Sequence, residues 1–165
     1  MPSQWTIPRS KTTVLFTIGY MIVMALVWGL LFFRTADNSG RLLCYILIAV
    51  LALIFILAFM FSPRRLILGD DTLTIERTVG SRQLPLEDIA EVRRVYIPPG
   101  GNVRICGVGG LFGNVGWYYT RDTGRYFAYT GSTSGTVLIT MKSGRKYMVN
   151  SVDTEAFIVT LRSKL

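Results

Sequence analysis

The chain has 165 residues, half of them hydrophobic, and carries a formal net charge of +8 with no histidine. That length suits one ordinary domain. Without histidine the chain lacks the commonest general base and the usual metal ligand. No catalytic constellation or metal-binding spacing stands out among the other residues. The sequence therefore indicates a protein that is not an enzyme and that holds no cofactor or metal.

Two apolar blocks without charge, residues 14–33 and 42–61, dominate the N-terminal third. Each has the ~20 residues that cross the hydrocarbon of a bilayer as a helix. Neither shows polar residues at the 3.6-residue period of an amphipathic soluble helix. A pair of buried soluble helices and a cleaved signal peptide are the alternatives, but the first block is long for a signal peptide and no small-residue cleavage site follows it. We expect two transmembrane helices.

The polar loop 34–41 between the blocks is short enough to make the helices an antiparallel hairpin, with both outer ends on one side. Basic residues favour that side over the loop: Arg9, Lys11, Arg64 and Arg65 against Arg34 and Arg41. The positive-inside rule then predicts that both termini are cytoplasmic. The expected organisation is an N-terminal segment 1–13, a transmembrane hairpin 14–61 and a polar domain 62–165.

The polar domain alternates with period two between turn residues, as antiparallel strands do. Leu73 and Ile75 should share one face of a strand, and residues 136–150 form the plainest hairpin, with its turn at Ser143 and Gly144. The segment from Asp153 predicts a C-terminal helix: Asp153 is a suitable N-cap, and an apolar stripe follows. That stripe contains Phe157, Ile158, Leu161 and Leu165.

Seven or eight short strands followed by one helix predict a small mainly-β domain closed by that helix. The sequence of this domain resembles the bacterial pleckstrin-homology (PH) domains that follow transmembrane hairpins. The resemblance runs from RRLIL through GLFGNVGWYYTRDTGRYFAYTG to VLITMKSGRKYMVNSVDTEAF. The resemblance covers residues 63–165 and is strongest over 109–157. It implies two near-orthogonal antiparallel sheets closed by the helix, no catalytic activity, and a multi-pass protein of the bacterial cytoplasmic membrane.

The segment 107–131 combines glycine and aromatic residues. Its glycines do not match G-x-G-x-x-G, and no helix follows to aim its N-terminus at a phosphate. One reading makes them sheet corners, with Phe112, Trp117, Phe127 and Tyr129 in the core. The other makes 107–116 an aromatic contact loop that touches a partner or the membrane interface. The candidate contact residues from this segment are Phe112, Trp117 and Tyr118.

Clustered basic residues supply the other candidate contacts, namely Arg64, Arg65, Arg93, Arg94, Arg145 and Lys146. A solvated strand face and an anionic-lipid or partner surface are both compatible with such clusters. The first hairpin turn, Gly69 to Asp71, is acidic, which argues against phosphoinositide binding there. Spread-out pairs beside a membrane also argue against nucleic acid. Cys44 and Cys106 lie too far apart in the pattern to pair, and we expect Cys106 to be buried.

Two functional hypotheses remain. In the first, the membrane-anchored domain is a protein-interaction or scaffolding module that binds an unidentified protein through a strand edge or the aromatic loop. In the second, its basic clusters bind anionic lipid headgroups. Small residues in the first block leave a homo-oligomer open.

Overall fold

The computed structural model describes residues 3–34, 38–98 and 100–165. Ten strands and three α-helices lie within these ranges. The helices are α1 (Lys11–Arg34), α2 (Asn38–Met60) and α3 (Thr154–Arg162). The strands are β1 (Ser3–Thr6), β2 (Pro63–Leu68), β3 (Thr72–Arg77), β4 (Ser81–Pro85), β5 (Ile89–Val95), β6 (Val103–Gly109), β7 (Asn114–Thr120), β8 (Gly124–Thr130), β9 (Thr136–Met141) and β10 (Lys146–Asn150), with a 3-10 turn at Leu86–Asp88.

Helices α1 and α2 are both long and apolar enough to cross a membrane. Their apolar windows are mostly uncovered, with 11% of the α1 window and 6% of the α2 window buried. The Tyr20 hydroxyl donates to the carbonyl oxygen of Leu51 at 2.8 Å, and its ring stacks on Phe55 with 5.4 Å between centroids. Both helices extend into the predicted loop 34–41, of which residues 35–37 lie outside the described part of the chain.

The domain has two sheets, one of four strands in the order β1-β2-β3-β4 and one of six in the order β5-β9-β10-β8-β7-β6. Strand β1 is the unexpected member, because it precedes α1 yet pairs antiparallel with β2, from Ser3 opposite Leu68 to Thr6 opposite Arg65. Trp5 also packs edge-on against Phe157 of α3, with ring centroids 5.2 Å apart. Residues 3–6 are thus part of the domain that follows the helices.

One strand pair departs from the expected antiparallel arrangement. Strands β8 and β10 are parallel, with Phe127 opposite Tyr147. The cause is the path of the 131–135 connection, which carries the chain past β10 so that the β9–β10 hairpin inserts between β8 and β5. The side chain of Asn150 fixes this connection: Oδ1 accepts from the Gly131 amide at 3.0 Å, and Nδ2 donates to Ser132 Oγ at 2.8 Å.

The main core lies between the two sheets and beneath α3. It contains the predicted inward faces of β3, β9 and β10, including Leu73, Ile75, Val137, Ile139 and Val149, all fully buried. A smaller cluster covers the other face of the six-stranded sheet and contains Ile97, Tyr118, Tyr126, Ala128, Leu138 and Met148. The six-stranded sheet is therefore buried on both faces over part of its length.

Helix α3 closes the domain as predicted. Asp153 caps its N-terminus by accepting from the Ala156 amide at 3.0 Å, and the Arg162 guanidinium donates to the carbonyl oxygen of Val92. Phe157 and Leu161 are fully buried. The prediction for Leu165 was wrong, because the helix ends at Arg162 and the Leu165 side chain is 53% exposed.

Candidate functional site

The segment 107–116 is the far half of a β6–β7 ribbon and not a loop. Gly107 faces Gly116 across the two strands, with φ angles of 125° and 137°. A Cβ on either residue would lie 2.3 Å from a carbonyl oxygen of the opposite strand. Side chains do not tolerate such φ values or contacts, so glycine is required at both positions. The paired glycines let the strands approach closely just before the ribbon reaches its tip.

The tip of the ribbon, residues 109–114, packs on the two apolar helices. The Phe112 ring meets Phe55 and Phe59 of α2 edge-to-face, at centroid distances of 5.0 and 5.2 Å. Its amide donates to Thr17 Oγ1 of α1 at 3.3 Å, and its carbonyl oxygen accepts from Ser62 Oγ at 2.9 Å. Phe112 has a φ of 56°, unusual for a bulky residue. Its candidate contact is therefore with the protein's own helices.

The ribbon gives the domain a helix-proximal and a helix-distal end. Gly131 lies at the proximal end, where its carbonyl oxygen accepts from the Ser10 amide at 3.1 Å. The β7–β8 turn lies at the distal end, at the opposite end of a seven-residue strand. At ~3.3 Å per residue this strand separates the two ends by roughly 20 Å. The β9–β10 turn joins the distal end, because Lys146 Nζ donates to the Thr123 carbonyl at 2.7 Å.

Trp117 and Tyr118 occupy different environments. Trp117 is half-buried, edge-on to Phe127 at 5.2 Å, with the Arg125 guanidinium 4.4 Å from its ring centroid. Tyr118 is 4% exposed in the smaller cluster, and its hydroxyl donates to the carbonyl oxygen of Val108. Burial raises the pKa of the Tyr118 hydroxyl. Tyr118 therefore offers no contact surface, which corrects its assignment as a candidate contact residue.

Three of the candidate arginines are already paired with acids. Arg65 Nε lies 3.4 Å from Glu76, Arg93 Nε lies 3.9 Å from Glu91, and Arg94 pairs with Glu155 of α3. These side chains are between 36% and 68% exposed, so such pairs contribute little stability. They do reduce the positive charge that a ligand would meet. Arg93 and Arg94 also lie on β5, the edge of the six-stranded sheet opposite β6.

The remaining basic candidates lie at opposite ends of the domain. Arg64 is exposed at the start of β2, directly after α2, and forms no ion pair among the described residues. Arg145 and Lys146 lie at the distal end, with Arg145 exposed in the β9–β10 turn. The structure therefore does not gather the basic clusters into one surface. The acidic turn, Gly69 to Asp71, follows the end of β2 that is far from α2. Lys164 Nζ donates a hydrogen bond to Asp70 Oδ1 at 2.9 Å and lowers the pKa of that carboxyl.

Strand β6 is a surface that the sequence reasoning did not single out. It is the last strand of the six-stranded sheet, and its residues 103–107 are all exposed. Val103 and Ile105 are 62% and 53% exposed. Cys106 is also exposed, so the prediction of a buried cysteine was wrong. The alternation of VRICGV signalled a strand, but nothing in it distinguishes an edge strand from a central one.

A groove of about 380 Å³ lies beside this edge, between Val103 and Tyr119 on one side and residues 95–98, 100 and 101 on the other. Tyr96 stands at its rim and is 78% exposed. Arg121 and Asp122 of the distal turn complete the lining. The groove and the β6 edge together form what we call the β6 face: Tyr96, Val103, Ile105 and Tyr119. No group of three or more potential metal ligands occurs in the described ranges.

Two packed sheets closed by a C-terminal helix define a PH-like domain, here joined to two long apolar helices. A family model described as "Bacterial PH domain" matches residues 64–165, more than half of the chain. The chain belongs to the bacterial PH domain family, as the resemblance implied. No curated protein and no solved structure matches it.

Proposed function

We propose that the protein is a membrane-anchored interaction module whose β6 face binds another protein at the cytoplasmic surface of the bacterial inner membrane. The observation that carries the proposal is the exposure of Val103 and Ile105 on an unpaired edge strand. An extended segment of a partner can add to such an edge through main-chain hydrogen bonds, while side chains fill neighbouring pockets.

The anchoring part of the proposal rests on the exposure of α1 and α2. A soluble protein would cover helices this apolar, yet their windows are almost uncovered. The β1–β2 pairing supports a hairpin that crosses twice, because Thr6 and Arg65 can be neighbours if both outer helix ends lie on one side. The flanking basic residues then favour the cytoplasmic side.

The β6 edge suits strand addition better than the other edges do. Strand β5 is covered by α3, whose Arg162 bonds to Val92 and whose Glu155 pairs with Arg94. Strand β1 lies against α3 through Trp5. Strand β4, the other edge of the four-stranded sheet, has five residues, of which the exposed ones are polar, and it ends in a proline. Natural proteins protect long exposed apolar edges unless these are used. Strand β6 has one charged residue, Arg104, and one irregularity in its pairing with β7, at Ile105. The groove at Tyr96 and Tyr119 adds the aromatic side chains favoured at interfaces.

The test is photo-crosslinking in native membranes from a photoreactive residue placed at position 105. We expect one defined protein band that disappears when Val103→Lys is introduced, because a charged edge blocks strand addition. Val159→Lys is the matched control, since Val159 is a valine of 65% exposure on α3. Loss of the band in the control variant, or capture of lipid alone, would refute the proposal.

Anionic lipid is the second candidate ligand, and the position of Arg64 favours it. This exposed cation directly follows α2, where headgroups would surround it, and each such cation contributes roughly 1 kcal/mol. Arg145 and Lys146 are poor candidates, because roughly 20 Å of strand separates them from the helices, compared with a Debye length of about 8 Å. Photolabelling of the full chain in nanodiscs by a phosphatidylglycerol headgroup probe, compared between the unmodified protein and Arg64→Gln, tests a lipid role only for the helix-proximal cations.

A further inference from the structure

A second groove, of about 350 Å³, lies between α1 and the tip of the β6–β7 ribbon. Its helix wall consists of Leu15, Phe16, Gly19 and Tyr20, and its other wall is the backbone of 109–111 with the Leu111 side chain. A Cβ on Gly110 would lie 3.8 Å from the Phe16 side chain, so the two walls meet closely. The lining is predominantly apolar.

The wall formed by the ribbon is held in place before any ligand arrives. Phe112 is fixed between Phe55 and Phe59, and its backbone bonds to Thr17 and Ser62. The Gly110 amide donates to the Gly113 carbonyl at 3.1 Å and closes the turn. A preformed groove costs less to occupy than one that must be ordered by its ligand.

The depth of the groove along α1 identifies its occupant. Its helix wall begins four residues after Lys11, and at 1.5 Å per residue residues 15–20 cover the first two turns of the apolar span, roughly 6–14 Å beyond Lys11. In a membrane these turns lie just inside the boundary between headgroups and acyl chains. Leu15 and Phe16 are 70% and 63% exposed there, so hydrocarbon chains would surround the opening.

A cation lies beside Gly109, one of the residues that line this groove. Arg104 Nη1 reaches the Gly109 carbonyl at 3.5 Å, and an added Cβ on Gly109 would lie 3.1 Å from it. Within the described ranges, no carboxylate pairs with Arg104, whereas Arg65, Arg93 and Arg94 are each paired. Arg104 also hydrogen-bonds the Tyr118 hydroxyl. A guanidinium has five N–H donors, so donors remain for a phosphate oxygen beside the apolar groove.

We infer that this groove is a binding site for one anionic membrane phospholipid, with an acyl chain between α1 and residues 109–111 and the phosphate beside Arg104. The inference rests on the proposed membrane insertion of α1 but not on the protein partner of the β6 face. Bound lipid would fill the gap between the tip and α1 and stabilise their contact.

The experiment places the full chain in phosphatidylcholine nanodiscs with a trace of phosphatidylglycerol that carries a photoactivatable acyl chain. Labelled residues are mapped by peptide mass spectrometry. We expect labelling of 109–111, reduced at least fivefold by Gly19→Leu. A Cβ added at Gly19 meets no atom within 4 Å, and the rest of the leucine side chain would extend into the groove that Gly19 lines. Gly29→Leu is the matched control, since Gly29 is also open and lies outside this groove.

A second comparison tests the headgroup. A phosphatidylcholine probe with the same acyl chain should label 109–111 about fivefold less than phosphatidylglycerol, the ratio equivalent to roughly 1 kcal/mol per cation. Arg104→Gln should remove that difference. Unchanged tip labelling in Gly19→Leu, an equal loss in Gly29→Leu, or equal labelling by both probes in the unmodified protein would each overturn the inference. Crosslinking from position 105 stays unchanged in Gly19→Leu and Gly29→Leu, so the two proposals fail separately.

Discussion

Replacing Phe112 by alanine tests whether the ribbon tip is attached to the helices. The ring forms two edge-to-face contacts, with Phe55 and Phe59. Each such contact contributes about 0.5–1.5 kcal/mol beyond buried area. Acyl chains are as apolar as the ring, so area burial adds little if the helices lie in a membrane. We therefore expect Phe112→Ala to weaken the attachment by about 2 kcal/mol.

Amide hydrogen exchange in nanodiscs measures this loss locally. At 1.36 kcal/mol per tenfold, a loss of about 2 kcal/mol raises the open population, and with it the exchange rate of amides in 109–114, by about thirtyfold. Amides of β9 and β10 should not change, because those strands lie in the core between the sheets. Their rates serve as the internal control for global unfolding.

Phe112→Gly separates the energetic contribution of the ring from the cost of the backbone conformation. The left-handed φ of 56° costs a bulky residue roughly 1 kcal/mol, which glycine recovers. Exchange in 109–114 should then rise by about fivefold instead of thirtyfold. A rise of less than about threefold in Phe112→Ala, or equal rises in both variants, would refute this account of the attachment.

Three further predictions concern the domain itself. Asn150→Ala should lower the free energy of unfolding by about 2–3 kcal/mol in denaturant titration, because the fully buried Asn150 bonds to Gly131 and Ser132; an unchanged midpoint would contradict it. Gly116→Ala should disrupt the β6–β7 pairing, since its Cβ would lie 2.3 Å from the Cys106 carbonyl oxygen. Gly124→Ala, which has open space around the Cβ and a φ of 70°, should lower the free energy of unfolding by only about 1 kcal/mol in the same assay. Lys164 lowers the pKa of Asp70, so this ion pair makes a small contribution to the free energy of unfolding that is present above about pH 4. The contribution is lost as the pH falls through the lowered pKa. Asp70→Asn should therefore flatten the pH dependence of the free energy of unfolding below about pH 4 and leave that dependence unchanged near neutral pH.

Local sequence patterns predicted the strands and the helix that are specified by residues close together in the chain. Leu73 and Ile75 alternate with polar neighbours and are buried, and Asp153 caps the helix that its position predicts. The family resemblance added the arrangement of these elements. Both kinds of signal depend on neighbours in the sequence or on a known pattern, and together they predicted a mainly-β domain closed by a C-terminal helix.

Features that depend on distant partners were not predictable in the same way. Strand β1 has four residues and acquires its role through β2, on the far side of two helices. Tyr118 and Trp117 are adjacent in a strand and face opposite sides, but the segment covering Tyr118 comes from the β5–β6 connection, which contributes Ile97. The location of the candidate site likewise depends on which strand is at the edge of the six-stranded sheet. Pairing order decides this, and the residues of β6 do not encode it locally.

The β1–β2 pairing also constrains the order of assembly. During synthesis β1 emerges first, but its partner strand follows roughly sixty residues later, so this edge of the sheet is a contact of high sequence separation. If the helices insert in a membrane, the sheet closes after both have crossed. The domain would then fold fully once insertion has succeeded, and a chain with a misplaced helix would display an open edge at β2 to the quality-control machinery of the cell.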